Sequence, residues 1–385
     1  MGSRSYTIST ARRDPTQDPN VQALVAAQAA TSRRFADAQV INVTRHLESL
    51  HNDFDPCGMQ VAIGISVYEP VPQDGGVLIQ RSDGLAPPMV LTRDPTAPAV
   101  RECERRWWTP AFALWTGGTL QFGSAAPNGL TNNRFSTGGV TGGIDFRVID
   151  RLIVGAAVGY GTDRTTIGPD GTRSDGTIWS GMLYASSRPW ANWFVDAFVG
   201  YGTLGFDNAR WVGLDGTLVS GTRSGESWFG SLAVGPEMKY GALKWAPYVR
   251  ADLMSARLNG YAEQGISNQA LTFGAISFNS TAAVLGLRAS YDIGTQWGVV
   301  SPMFRVEYKH ALDGGFNQSM WYSDLGAGTT YILAHNAETR NLLNASIGLR
   351  ASVGAGATVD LEYGTTASGS AASVQTLHGA LRLAF

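Results

Sequence analysis

The residues with the widest chemical repertoire in this 385-residue chain are five histidines and two cysteines, and their spacing brings little together. His46, His51, His310, His335 and His378 are scattered, with no HExxH and no other ligand spacing, so no metal centre is expected. His310 stands near the end of a strand-like run, a place that would suit a lipid hydrolase, but no nucleophile motif accompanies it. Cys57 and Cys103 fit no metal pattern. The glycine-rich pieces "GAAVGYGTDR" and "GTLGFDNAR" precede loops, not helices, and so lack the helix N-terminus that would bind phosphate. The expectation is a chain without catalytic residues or cofactor.

What remains is charge placed at alternate positions. Arg250, Asp252, Arg257, Arg288, Arg305, Glu307, Lys309, Arg350, Asp360, Glu362 and Arg382 all lie in runs whose polarity alternates. Residues of this kind conduct ions, grip a segment held between them, or pair across strands and satisfy one another. The sequence leaves these three roles open.

The elements that position them read as strands with unlike faces. In "FRVEYKH", Phe304, Val306 and Tyr308 share one parity, and Arg305, Glu307 and Lys309 the other. The split recurs in "VDLEY", "LGLRASYD" and "NASIGLRASV". A cation turned toward lipid at mid-membrane would cost about 2–4 kcal/mol, so in a membrane barrel the charged parity faces inward. Turn lengths also alternate. Short turns near Asp150, Pro189, Ala242, Gly294 and Gly354 separate longer polar segments such as "SAAPNGLTNN" and "TTIGPDGTRSDG". Six hairpins with this asymmetry predict an all-β, twelve-stranded antiparallel transmembrane barrel of the outer-membrane type. "SMWYSDL" and "TTYIL", placed in the fifth long loop, would make fourteen strands if they joined the wall.

Tryptophans support the membrane reading. Trp190, Trp245 and Trp297 follow short turns, and Trp107 and Trp108 precede the first strand, as an interfacial aromatic belt would require. The alternative is that they are core residues of a soluble β protein. No run of about 18 apolar residues is present to form a membrane helix. A net charge of −2 gives no basis for binding nucleic acid.

Four regions follow. Residues 1–19 are a polar leader. Residues 20–51 lack glycine and proline, are rich in alanine, and form a helix about 48 Å long at 1.5 Å per residue. Residues 52–106 form a small irregular module, and residues 107–385 the barrel. The start has no apolar signal core, and the favoured reading is a C-terminal piece of a longer exported chain. In an oxidising compartment Cys57 and Cys103 would close a disulfide loop of about 47 residues, contributing roughly 4 kcal/mol. The terminal "LHGALRLAF" turns Leu377, Gly379, Leu381, Leu383 and Phe385 to lipid and His378, Ala380 and Arg382 to the lumen.

The opening "WWTPAFALWTGGTLQFG", "GGVTGGIDFRV" followed by "LIVGAAVGYG", then "MFRVEYKH", "SIGLRASVGAGATVDLEYG" and the terminal "LHGALRLAF" resemble the translocator β-domain of the autotransporters, type V secretion proteins of Gram-negative bacteria. The resemblance covers about residues 107–385. It implies an outer-membrane barrel, in contact with lipid, that anchors and helps export its own N-terminal passenger. Residues 1–19 would then be a passenger remnant and 20–51 a linker helix placed in the lumen. It also implies that the barrel-assembly machinery reads Leu381, Leu383 and Phe385, and that the barrel is a monomer. A non-specific porin and an adhesin acting through its long loops are the alternatives. Residues 52–106 depart from the family pattern, in which the helix leads more directly into the barrel, and this leaves two places for the helix: in the pore with the module in the periplasm, or outside it with the module. Some members cut themselves at an Asn in this helix. Asn42 is the interior Asn here, but the paired Asn of the cleaving subgroup is missing, so no cleavage is expected.

Overall fold

Asp18 accepts a hydrogen bond from the backbone N–H of Asn20 at 2.8 Å, and Pro19 takes the first helical position, where its missing N–H costs nothing. Helix α1 therefore runs Pro19–Leu50, a residue either way from the expected span. The computed structural model describes residues 12–51, 112–125, 133–326, 328–353, 357–368 and 373–384. The 52–106 module with Cys57 and Cys103, the pair Trp107 and Trp108, and Phe385 lie outside the described residues.

The strands are β1 (Phe112–Ala125), β2 (Asn133–Ile149), β3 (Leu152–Ile167), β4 (Thr172–Ser187), β5 (Trp193–Val212), β6 (Thr217–Pro236), β7 (Met238–Tyr240), β8 (Leu243–Leu258), β9 (Tyr261–Ala262), β10 (Leu271–Phe273), β11 (Ile276–Tyr291), β12 (Ile293–Thr295), β13 (Gly298–Asp313), β14 (Phe316–Tyr322), β15 (Tyr331–His335), β16 (Glu338–Val353), β17 (Ala357–Ser368) and β18 (Ser373–Ala384). Twelve long strands pair antiparallel with their sequence neighbours, and β1 pairs with β18, Leu114 opposite Leu383, to close a twelve-stranded barrel. The short β7 and β12 only extend turns against β8 and β13. "SMWYSDL" and "TTYIL" contribute β14 and β15, which pair with each other and with β10 and β9 in a separate four-stranded sheet, so the wall has twelve strands and not fourteen.

The long connections differ from simple loops. Those between β3 and β4 and between β5 and β6 continue as paired strand, leaving only residues 168–171 and 213–216 unpaired. Their Thr, Val and Arg residues sustain ladder pairing beyond the point where the lipid would end.

Each wall strand keeps one face out. Leu120, Val158, Leu183, Leu232, Leu253, Leu285, Ile347 and Leu361 are exposed on that face, a band that only lipid could cover. The inner face is not uniform. On β3 to β6 it is apolar: Ile178, Met182, Phe198, Leu204, Phe206 and Phe229 form one core with Phe35, Val40, Val43 and Leu47 of α1. The charged lining is densest on β8, β11, β13, β16, β17 and β18, with single aspartates, Asp145, Asp163 and Asp196, on β2, β3 and β5. The helix is thus a ligand of the barrel, packed by dispersion on one side and by charge on the other.

Candidate functional site in the barrel lumen

A 32-residue helix buried over most of its surface must satisfy the polar side chains it turns to the wall from the wall itself. It does so in layers. Midway along it, Arg34 reaches Asp163 of β3 at 2.8 Å and donates to Thr137 and Thr165, while Thr31 donates to the same carboxylate at 2.8 Å. Arg33 lies 3.6 Å from Asp313, and Asp37 accepts from Lys309 at 2.7 Å. In the next layer Asn42 accepts from Thr119 at 2.5 Å and donates to Thr141 at 2.9 Å.

The last turns carry the densest charge. Arg45 forks onto Glu362 at 2.8 and 2.9 Å. His46 stacks on Trp115, with 3.9 Å between ring centroids, and its Nε2 lies 2.7 Å from Asp145, which also accepts from Tyr184 at 2.7 Å. Glu48 accepts two hydrogen bonds from Arg305, at 2.8 and 2.5 Å, and lies 3.1 Å from Arg288. His51 closes the helix, 3.0 Å from Asp196, with its carbonyl accepting from Arg188 at 2.7 Å.

The sequence-expected charges divide into two groups. Arg288, Arg305, Lys309 and Glu362 bind the helix directly. Arg250 pairs with Asp252 at 3.0 Å and with Glu307 at 2.7 Å, Arg350 pairs with Asp360 at 2.6 Å, and Arg382 lies 3.5 Å from Asp145. Arg257 is a correction: it is exposed on the outer face. It stands seven positions after Arg250, an odd offset, which in a strand puts the two on opposite sides. Asp145, Asp163, Asp196, Trp115 and Tyr184 were not singled out from the sequence. The three aspartates sit on the inner parity of their strands, which is the signal that would have found them.

On the outside, Trp190, Trp245 and Trp297 stand exposed at the short-turn end, joined by Trp193. Leu381 and Leu383 are exposed on the outer face of β18. Beyond the barrel, the Arg12 guanidinium forks onto Asp324, and this hydrogen bonding holds the Asp324 carboxyl below its usual range.

The family profile described as Autotransporter beta-domain matches residues 114–364, well over half of the chain. The chain belongs to the autotransporter β-domain family. It is therefore an outer-membrane translocator barrel of a Gram-negative bacterium, and the short-turn end of an autotransporter β-domain is periplasmic. Two solved structures have the same fold. The translocator domain of the autotransporter NalP from Neisseria meningitidis is 16% identical, with 71% of this chain and 88% of that one covered and a TM-score of 0.56. The β-domain of the Bordetella autotransporter BrkA is 18% identical, with 71% and 100% covered and a TM-score of 0.52. No curated protein sequence matches the chain significantly.

In this autotransporter β-domain the helix has a definite polarity. Its start lies at the extracellular end, where Asp18 is 3.6 Å from Arg210, late in β5, and Asn20 donates to the carbonyl of Trp211. Its end lies at the periplasmic rim beside Arg188 and Glu237. The lumen is not filled. Alongside α1, on the side of β13, β16, β17 and β18, a cavity of about 730 Å³ remains, bordered by Ala26, Ala30, Arg34, Asp37, Leu342 and Thr366.

Proposed function

We propose that α1 is the linker on which export comes to rest: a passenger joined to its N-terminus stands outside, and the helix occupies and seals the route it took. The observation that carries this reading is the match of charge. Arg33, Arg34, Asp37, Arg45 and Glu48 each meet an opposite charge on the wall, and His46 and His51 each meet a wall carboxylate within hydrogen-bond distance. A helix displaced by one turn, about 5.4 Å, would lose these pairs together. Arg250, Asp252, Glu307, Arg350 and Asp360, paired within the wall, keep the lining ordered around it. The barrel performs no catalysis in this reading and acts as a monomer.

Single-channel recording in planar bilayers tests it. Deleting residues 20–51 is expected to raise conductance severalfold, whereas the intact chain passes only a small current through the space beside the helix. Equal conductance of the two would overturn the assignment and favour an unplugged porin.

The barrel-assembly machinery is the second proposed partner, reading the outward Leu381 and Leu383 together with the terminal residue Phe385. Deleting Phe385 is expected to reduce the yield of barrels that resist unboiled SDS in cells by well over half. Unchanged heat-modifiable yield would remove the terminus from this role.

A further inference from the structure

The outer face of β2 to β4 departs from the apolar band near its extracellular edge. Tyr160 lies eight residues beyond Leu152, where β3 leaves its periplasmic turn, and Trp179 faces it across the ladder with ring centroids 4.7 Å apart. At about 3.4 Å per residue and a tilt near 40°, this pair stands about 20 Å above the periplasmic rim, close to the top of a hydrocarbon layer about 25 Å tall. Tyr201 and Trp228 continue the row on β5 and β6.

One step above come the exposed hydroxyls of Thr162 and Thr177, which are register partners. Above these stand three arginines. Arg164 and Arg173 have side chains 78% and 54% exposed, and Arg134 of β2 is also exposed. Arg134 and Arg173 both pair in register with Thr166, so they flank it on either side, with Arg164 two residues below on the same strand. Arg164 stands about 30 Å above the rim, just beyond the hydrocarbon. Asp175 lies between Arg164 and Arg173, at 3.2 and 3.4 Å, and Asp207 faces Asp175 from β5. Three guanidiniums against two carboxylates leave the cluster net positive.

We infer that this face binds the phosphorylated glucosamine headgroup of a lipid A molecule from the outer leaflet. A guanidinium placed at the membrane surface and surrounded by hydroxyls recognises phosphate by paired, charge-assisted hydrogen bonds. The Tyr160–Trp179 pair below offers a flat, half-polar surface at the depth where sugar gives way to acyl chain. The order of hydroxyl and guanidinium over aromatic over aliphatic residues follows the order of groups along such a lipid. Simple cross-strand pairing would account for Arg164 and Arg173 through Asp175, but not for Arg134 or for the aromatic pair beneath.

Native mass spectrometry of the full chain in detergent, with bisphosphorylated lipid A added, tests the inference. Wild type is expected to retain one lipid A, and the variant R134A/R164A/R173A to retain it at least about tenfold more weakly, the loss expected when more than 1.4 kcal/mol of charge-assisted contact is removed. R257A, which removes an exposed outer-face arginine elsewhere, should bind as wild type does. Heat-modifiable mobility of each variant establishes that the barrel is folded. Equal retention by the triple variant, equal weakening by R257A, or equal retention of phosphatidylglycerol would each overturn the site.

Discussion

Replacing Glu48 with Gln is expected to destabilise the barrel in detergent by about 3–5 kcal/mol, the usual result of removing one partner from a buried ion pair. Glu48 sits between Arg305 and Arg288, whose side chains are only 8% and 14% exposed, so loss of the carboxylate leaves two largely buried guanidiniums without their nearest counter-charge. Of carboxylates, Arg305 then keeps Glu362 at 3.6 Å and Arg288 keeps Glu237 at 3.4 Å, and the remaining close partners, the Tyr248 hydroxyl at 3.0 Å from Arg305 and His51 Nδ1 at 2.6 Å from Arg288, carry no negative charge. Thermal unfolding followed by loss of β-sheet circular dichroism measures the effect. Asp324→Asn, in an exposed pair with Arg12 outside the membrane, is the matched control and should change little. If both variants unfold together with wild type, the layer between helix and wall contributes nothing and the helix is held by packing on β3 to β6 alone.

The second large effect is expected from Gly286→Ala. Gly286 of β11 and Tyr248 of β8 are register partners, and the Tyr248 ring lies flat over the glycine, where a Cβ would fall inside it. The ring position matters because the Tyr248 hydroxyl donates to Glu307 and accepts from Arg305 at 3.0 Å, joining the wall pairs to the pairs that hold the helix. A methyl group at 286 would push the ring off and leave buried charges short of a partner. Overpacking costs about 1–3 kcal/mol, and each unsatisfied buried group about 1–3 kcal/mol. The expected outcome is a lower temperature for conversion of the folded to the unfolded band in SDS electrophoresis. Tyr248→Phe should reproduce the loss of the hydrogen bonds without the clash and fall between G286A and wild type. Conversion of G286A at the wild-type temperature would show that the ring has another place to go.

Both predictions concern contacts that join distant parts of the chain, and that distance separates what could be read early from what could not. Alternation in "FRVEYKH" and "VDLEY" is local, and it carries the strand type, the lipid-facing row and the parity of Arg305, Glu307 and Glu362 without reference to any other residue. On β4 the same reasoning weakens, because "IWSGMLYA" places apolar side chains on both faces, Trp179 and Leu183 outward and Ile178 and Met182 inward. The inward set has meaning only once a helix is present to pack on it.

The sequence by itself determined a membrane barrel, its two faces, the twelve-strand count with one ambiguous hairpin, and a long helix ahead of it. The tertiary structure decided where that helix lies, which charges grip it, and that β14 and β15 leave the wall for a separate sheet. Arg45 and Glu362 are 317 residues apart in sequence, and Arg34 and Asp163 are 129 apart. A period of two reports which face of a strand is wet, but only closure of the barrel brings the wet faces around one axis, where the charges of α1 find their partners.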